Sequence, residues 1–182
     1  MKKKIVYVGL SADILHKGHI NILKTASRYG DVVVGLLTDE AIASYKNIPT
    51  LDYKQREIVL KNIKFVKKVI PQTTLDYRHN LNLIMPNFVL HGDDWKRGVQ
   101  VKARQQVIET LKKWGGKLIE IKYTKNISSS SIKSKVINSL TPTSRISILR
   151  RLLENKNLVR VLECHSPLSG LIAENIKYSR GK

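Results

Sequence analysis

Two histidines three residues apart, His16 and His19, flank Lys17 and Gly18 a few residues after an apolar run at positions 4–10. At the first turn of a helix that spacing points both imidazoles the same way. Gly18 has no Cβ, so a bulky ligand can approach the backbone there. A helix N-terminus adds N–H groups and a partial positive charge. Two imidazole donors beside such a terminus read as a cradle for a triphosphate. A His-x-x-His zinc pair is the competing reading, but no cysteine or third histidine stands near to complete it.

Two further segments carry candidate chemistry. His91-Gly92-Asp93-Asp94-Trp95 follows another apolar run, at positions 87–91. Its carboxylates could hold Mg²⁺ or bond a base or ribose, and Trp95 could pack on a nucleotide or fill the core. Ile127-Ser128-Ser129-Ser130-Ser131-Ile132-Lys133 follows a third run, at 117–122. Serines at a helix start cap it, and the same hydroxyls bind phosphate oxygens.

The elements that must position these residues alternate. Residues 4–10 and 31–37 read as buried parallel strands rich in Val and Ile. Residues 66–70 read as a short strand stopped by Pro71, and 87–91 and 117–122 as two more. Helices are predicted at 18–29 (Ile22, Leu23 and Ala26 on one face), at 39–44, after the cap Asp52 with Ile58, Val59, Asn62 and Ile63, and at 75–84, 101–114 and 129–140. Strand and helix alternating in this way predict an α/β fold, a doubly wound, parallel, five-stranded, Rossmann-like sheet. Ligands of such sheets bind beyond the carboxyl ends of the strands, where all three segments fall.

Composition sets the outer bounds. The chain has 182 residues, 42% of them hydrophobic, enough for an ordinary core. No stretch reaches the roughly 20 apolar residues of a membrane span, so no membrane partner is expected. The basic start of MKKKIVYVGL reads as a lead-in to the first strand, because no small-residue cleavage site follows it. One cysteine, Cys164, and the lack of a targeting signal point to a reduced, cytoplasmic protein. Thirty-three Lys and Arg against 14 Asp and Glu give a net charge of +19, which attracts polyanions. The basic residues are scattered along the chain, so charge does not choose the partner. With only 6% aromatic residues the chain lacks the interleaved rings that stacking on single strands requires, and nucleic acid is not expected as a partner.

Taken together, the segments resemble a known family. His16-Lys17-Gly18-His19 fits the HxGH signature, and Ile127-Ser128-Ser129-Ser130 fits the ISSTxxR-like signature, of the cytidylyltransferase-like nucleotidyltransferases. Gly92-Asp93-Asp94-Trp95, with Tyr53-Lys54-Gln55-Arg56 upstream, is similar to the glycerol-3-phosphate cytidylyltransferase branch. The resemblance covers residues 4–139, with the motifs in the same order. It implies catalytic roles for His16 and His19, at the α-phosphate and the departing pyrophosphate, and for Lys46, which would reach the phosphates or the acceptor. It implies nucleotide contacts at Gly9, Leu10, Ser11, Gly18, Arg56, Gly92, Asp94, Trp95, Ser128, Ser129 and Ser130, the serines on the β- and γ-phosphates. Asp13 would lie on the metal side, with Mg²⁺ bridging the triphosphate, and a homodimer would be expected. The sequence departs from the branch at Tyr123, where an arginine is usual, at Ser130 in place of threonine, and at Lys133 in place of arginine. Lysine cannot grip a phosphate bidentately, and the acceptor is left open.

The expected domain spans residues 1–139, followed by a linker at 140–147 built on Leu140-Thr141-Pro142-Thr143. Residues 148–182 then read as a helix, a strand at 159–164 and a further start, the opening of a second domain. Arg150-Arg151-Leu152-Leu153-Glu154 and the stretch from Val161 to Leu171 resemble the opening of the phosphoenolpyruvate mutase branch of the isocitrate lyase-like barrels. Such mutases make carbon–phosphorus bonds. That resemblance implies an acceptor such as 2-hydroxyethylphosphonate or 2-aminoethylphosphonate, converted with CTP to a CMP-phosphonate. Glycerol 3-phosphate or a related phospho-alcohol is the alternative acceptor, and ATP the alternative nucleotide.

Overall fold

A computed structural model describes residues 3–45, 47–96, 100–122, 124, 129, 132, 142–156 and 161–175. Five strands form one parallel sheet: β1 (Ile5–Leu10), β2 (Asp31–Leu37), β3 (Lys68–Gln72), β4 (Phe88–Gly92) and β5 (Lys117–Ile121). Their spatial order is β3-β2-β1-β4-β5. The chain therefore builds outward from β1 through β2 to β3, then crosses to the other side of β1 for β4 and β5. Strand order reverses between β1 and β4, and the carboxyl ends of those strands frame a crevice where ligands of open α/β sheets bind.

Side-chain alternation along β1 loads both faces. Val6, Val8 and Leu10 pack with Ile22, Leu23 and Ala26 of α1 (Lys17–Ala26) and with Leu60 of α3 (Tyr53–Lys61). Tyr7 enters the opposite cluster, with Leu81 of α4 (Arg78–Ile84) and Val107 and Leu111 of α5 (Val101–Lys112). A short helix α2 (Asp39–Ala43) follows β2, capped by the Thr38 hydroxyl, which accepts the Ala41 N–H at 3.2 Å. The doubly wound sheet expected from sequence is the one observed.

Several elements differ from the sequence reading. Pro71 does not stop β3 but lies within it, paired with Leu36. It is tolerated because β3 is a sheet edge, hydrogen-bonded on one side only. Helix α3 turns Arg56 and Leu60 inward, while Ile58 is 61% and Val59 44% exposed. Helix α4 begins at Arg78 rather than at 75; Leu75, Asp76 and Tyr77 form the approach to it. Of the helix expected at 129–140, Ser129 and Ile132 are helical and the rest lies outside the described residues. Helix α6 (Pro142–Asn155) begins inside the expected linker; a proline suits a first helical turn, where its missing N–H has no partner to lose. Residues 161–164 are not in a strand, and α7 (Pro167–Asn175) follows them. Among the described residues no helix is long and apolar enough to cross a membrane.

Candidate active site

A cleft of about 210 Å³ opens at the carboxyl ends of β1, β4 and β5. Gly9, Leu10, Ser11, His16, Gly18, His19, Gly92 and Ser129 line it, so segments far apart in sequence meet there as expected. Ser129 Oγ donates to the Ile14 carbonyl at 3.1 Å, joining the serine segment to the turn before His16. Asn21 of α1 donates to the Thr124 hydroxyl at 3.3 Å and ties the helix to the chain beyond β5.

The two histidines cap their own helix. His16 is the N-cap of α1, and its Nδ1 accepts the Gly18 N–H at 3.1 Å. His19, three residues on, accepts the His16 N–H on its Nδ1 at 3.3 Å. This is the reciprocal logic of a capping box, built from imidazoles. A ring nitrogen that accepts carries no proton, so the neutral tautomer of each ring bears its proton on Nε2. That is the donor type an anionic oxygen in the cleft requires. The ring centroids lie 4.0 Å apart, close enough to address one group. Burial holds the His16 pKa below its ordinary 6.5 and favours that neutral form. A Cβ at Gly18 would stand 2.9 Å from His16 Cε1. The glycine therefore makes room for the ring as well as for a ligand.

The wall also holds His91, the first residue of the second candidate segment, and residues the sequence reading did not select: Tyr45, Tyr77, Gln100, Lys122 and Thr124. Lys122 and Thr124 follow β5 directly, and attention to every strand end would have found them. Tyr77 and Gln100 had no such signal, since each reaches the cleft from a helix approach through tertiary packing. Among the described lining residues Lys122 is the one lysine or arginine, and none is an aspartate or glutamate. Such a wall suits an anion and offers no carboxylate as general base.

Other expected residues support the cleft from behind. Trp95 is 1% exposed and stacks on His91 with centroids 3.8 Å apart and planes 5° from parallel. Its Nε1 donates to Glu120 Oε1 at 2.8 Å, so it presents no face to a nucleotide and instead flattens His91 against the core. Arg56, also 1% exposed, donates Nε to the Leu51 carbonyl at 3.1 Å, NH2 to Asp39 Oδ1 at 2.6 Å and NH1 to the Ser11 carbonyl. It braces the β1 end rather than lining the cleft. Both corrections share one cause: each polar group is satisfied by the protein, which is what permits its burial. Asp13 is buried, with Oδ1 accepting the N–H groups of Thr50 and Leu51. Lys46, Ser128 and Ser130 lie outside the described residues, as does the side chain of Asp94, whose backbone belongs to the 3₁₀ turn Asp93–Lys96.

A family model described as Cytidylyltransferase-like matches residues 7–135. Ethanolamine-phosphate cytidylyltransferase of Dictyostelium discoideum is 35% identical over 142 residues, covering 75% of this chain and 38% of that protein. Glycerol-3-phosphate cytidylyltransferase of Bacillus subtilis is 35% identical over 103 residues, covering 53% of this chain and 74% of that protein. The chain spans less than two fifths of the length of the ethanolamine-phosphate relatives it matches. A solved lipopolysaccharide core biosynthesis protein from Thermoplasma volcanium GSS1 shares the fold, with a TM-score of 0.59 and 24% identity over 68% of this chain and 100% of that one.

Proposed function

The chain belongs to the cytidylyltransferase-like family, and on that premise we propose that it transfers CMP from CTP to a small phosphorus oxyanion, releasing pyrophosphate. The observation that carries this reading is the pair of self-capped histidines, protons on Nε2, in a cleft whose described walls bear no carboxylate. An acceptor oxygen attacks the α-phosphorus, the new P–O bond forms, and the bond from that phosphorus to the bridging oxygen of pyrophosphate breaks. A phosphate ester loses its second proton at a pKa of about 6, so near neutral pH the attacking oxygen needs no base. The protein's part is then placement and charge stabilisation. His16 and His19 donate to oxygens that gain charge, while Lys122 and Ser129, with Lys46, Ser128 and Ser130 in the same role, hold the phosphates.

The described residues do not themselves fit a resident magnesium ion. No three His, Cys, Asp or Glu side chains among them cluster as ligands, and Asp13 spends Oδ1 on two backbone N–H groups. Magnesium usually keeps several waters and binds through substrate phosphates. In this reading it therefore arrives with the nucleotide, and no step depends on a protein-held ion.

For the acceptor, the resemblance of residues 150–171 to the mutase opening favours a phosphonate such as 2-hydroxyethylphosphonate or 2-aminoethylphosphonate. The names of the relatives favour the second reading, a phospho-alcohol such as ethanolamine phosphate or glycerol 3-phosphate. A cytoplasmic homodimer completes the proposal; the exposed Ile58 and Val59 of α3 are where a second copy would bury apolar surface. The test is pyrophosphate release with CTP and magnesium against those four acceptors and none. Release with a phosphonate alone supports the first acceptor, and release with a phospho-alcohol alone supports the second. No release with any acceptor, from CTP or ATP, would sink the activity itself.

A further inference from the structure

The segment between α2 and α3 brings Tyr45 to the cleft at one end and is tied down at the other by charged side chains from three places in the chain. Asp13, just after β1, accepts the N–H groups of Thr50 and Leu51. Arg56 of α3 donates to the Leu51 carbonyl at 3.1 Å. The third tie comes from α6: Arg151 NH1 donates to the Thr50 carbonyl, and its NH2 lies 4.0 Å from Asp39 Oδ2. That carboxylate also holds Arg56 at 2.6 Å and accepts the Tyr53 N–H at 3.3 Å. Arg56 in turn donates to the carbonyl of Ser11, a cleft residue. A continuous polar path therefore runs from Arg151 through Asp39 and Arg56 to the cleft wall.

Leu152 is half-buried, but burial of Leu149 and Leu153 does not account for the placing of Arg151. Leu149 and Leu153, two residues to either side on α6, are 47% and 62% exposed, whereas the Arg151 side chain is 25% exposed. Its NH2 is buried without a hydrogen bond, a desolvation cost that the nearby Asp39 charge offsets. The guanidinium reaches the segment, and its planar fork lets it address a carbonyl and a carboxylate together.

We propose that Arg151 is a positioning residue for nucleotidyl transfer: from α6 it clamps residues 47–52, and so sets the side of the cleft that Tyr45 lines. The catalytic half of this inference rests on the proposed transfer reaction; the clamp itself does not. The experiment compares the full chain with Arg151→Ala, Arg151→Lys and the neighbouring Arg150→Ala, reading amide hydrogen exchange and CTP turnover. Arg151→Ala is expected to speed exchange at Thr50 and Leu51 at least tenfold while β1 and β2 amides keep their protection. It should lower kcat more than it raises KM for CTP. Lysine, which restores one donor to the Thr50 carbonyl, should recover part of both effects, and Arg150→Ala should match the wild type. Unchanged exchange at Thr50 and Leu51 in Arg151→Ala, or an equal change in Arg150→Ala, would overturn the clamp. Altered exchange with unaltered kcat would overturn the positioning role, and a wild type inactive with every acceptor would instead count against the transfer reaction, leaving the exchange readings to judge the clamp.

Discussion

At His16 and His19 one backbone turn does two jobs. The Nδ1 atoms complete the first turn of α1, and by doing so they fix which nitrogen carries the proton. Removing one preorganised donor of this kind costs about 10²–10³ in rate, so His16→Ala and His19→Ala should each lose that much in kcat, measured as pyrophosphate release. Gly18 supplies a sharper test, because it touches neither charge nor hydrogen-bonding capacity. A methyl there would press on His16 at 2.9 Å and must turn the ring. Gly18→Ala is expected to lower kcat at least tenfold with little change in melting temperature; a fully active variant would show that the ring position is not critical. The histidine pair was legible in sequence because its spacing is local. Lys122 was passed over, because in a chain of net charge +19 a lone lysine stands out only by its place at a strand end.

At the scale of elements, two polar knots, one buried and one half-buried, tie the elements around the cleft together. Arg56 joins α3, the Asp39 end of α2 and the carboxyl end of β1. Breaking a buried ion pair by removing one partner costs about 3–5 kcal/mol. Arg56→Ala should destabilise the fold by that order in chemical denaturation, while Leu83→Ala on the exposed side of α4 should change it by less than about 0.5 kcal/mol. The second knot is Glu120 on β5. Hydrogen bonding from Arg104, with further bonds from Trp95 and Lys96, holds its carboxyl at about 2, below the ordinary 4.5. The unfolded chain therefore takes up that proton first. The stabilisation is complete above pH 4.5 and drains away as pH falls towards about 2. Melting temperature followed across that window should decline, and Glu120→Gln should flatten the part of the decline that this group contributes. An identical acid limb in the variant would remove Glu120 from the account. Neither knot was legible beforehand. Arg56 read as a ligand contact and Trp95 as a possible stacking surface, because a charged or aromatic residue beside a motif has the same appearance whether it meets a ligand or a buried partner.

Over the whole molecule, the excess of basic residues meets a cleft lined, among its described residues, by Lys122, two self-capped histidines and no carboxylate. A field of that sign draws in a triphosphate, and salt screens it over about 10 Å at 0.1 M. KM for CTP should rise between 0.05 and 0.5 M salt by about tenfold while kcat changes little, and Lys122→Ala should flatten that slope; a KM indifferent to salt would refute steering by the surface. Sequence by itself determined the alternation of strand and helix, the parallel sheet and the placing of the histidine and serine segments beyond strand ends, because these follow from hydrophobic periodicity and local turn chemistry. Only the tertiary structure decided that Pro71 lies within an edge strand, that α3 faces inward through an arginine rather than through Ile58 and Val59, and that α6 reaches back to the segment beside the cleft. Those outcomes depend on which groups find partners when distant parts of the chain are desolvated together, and a pattern of neighbours along the chain does not contain that information.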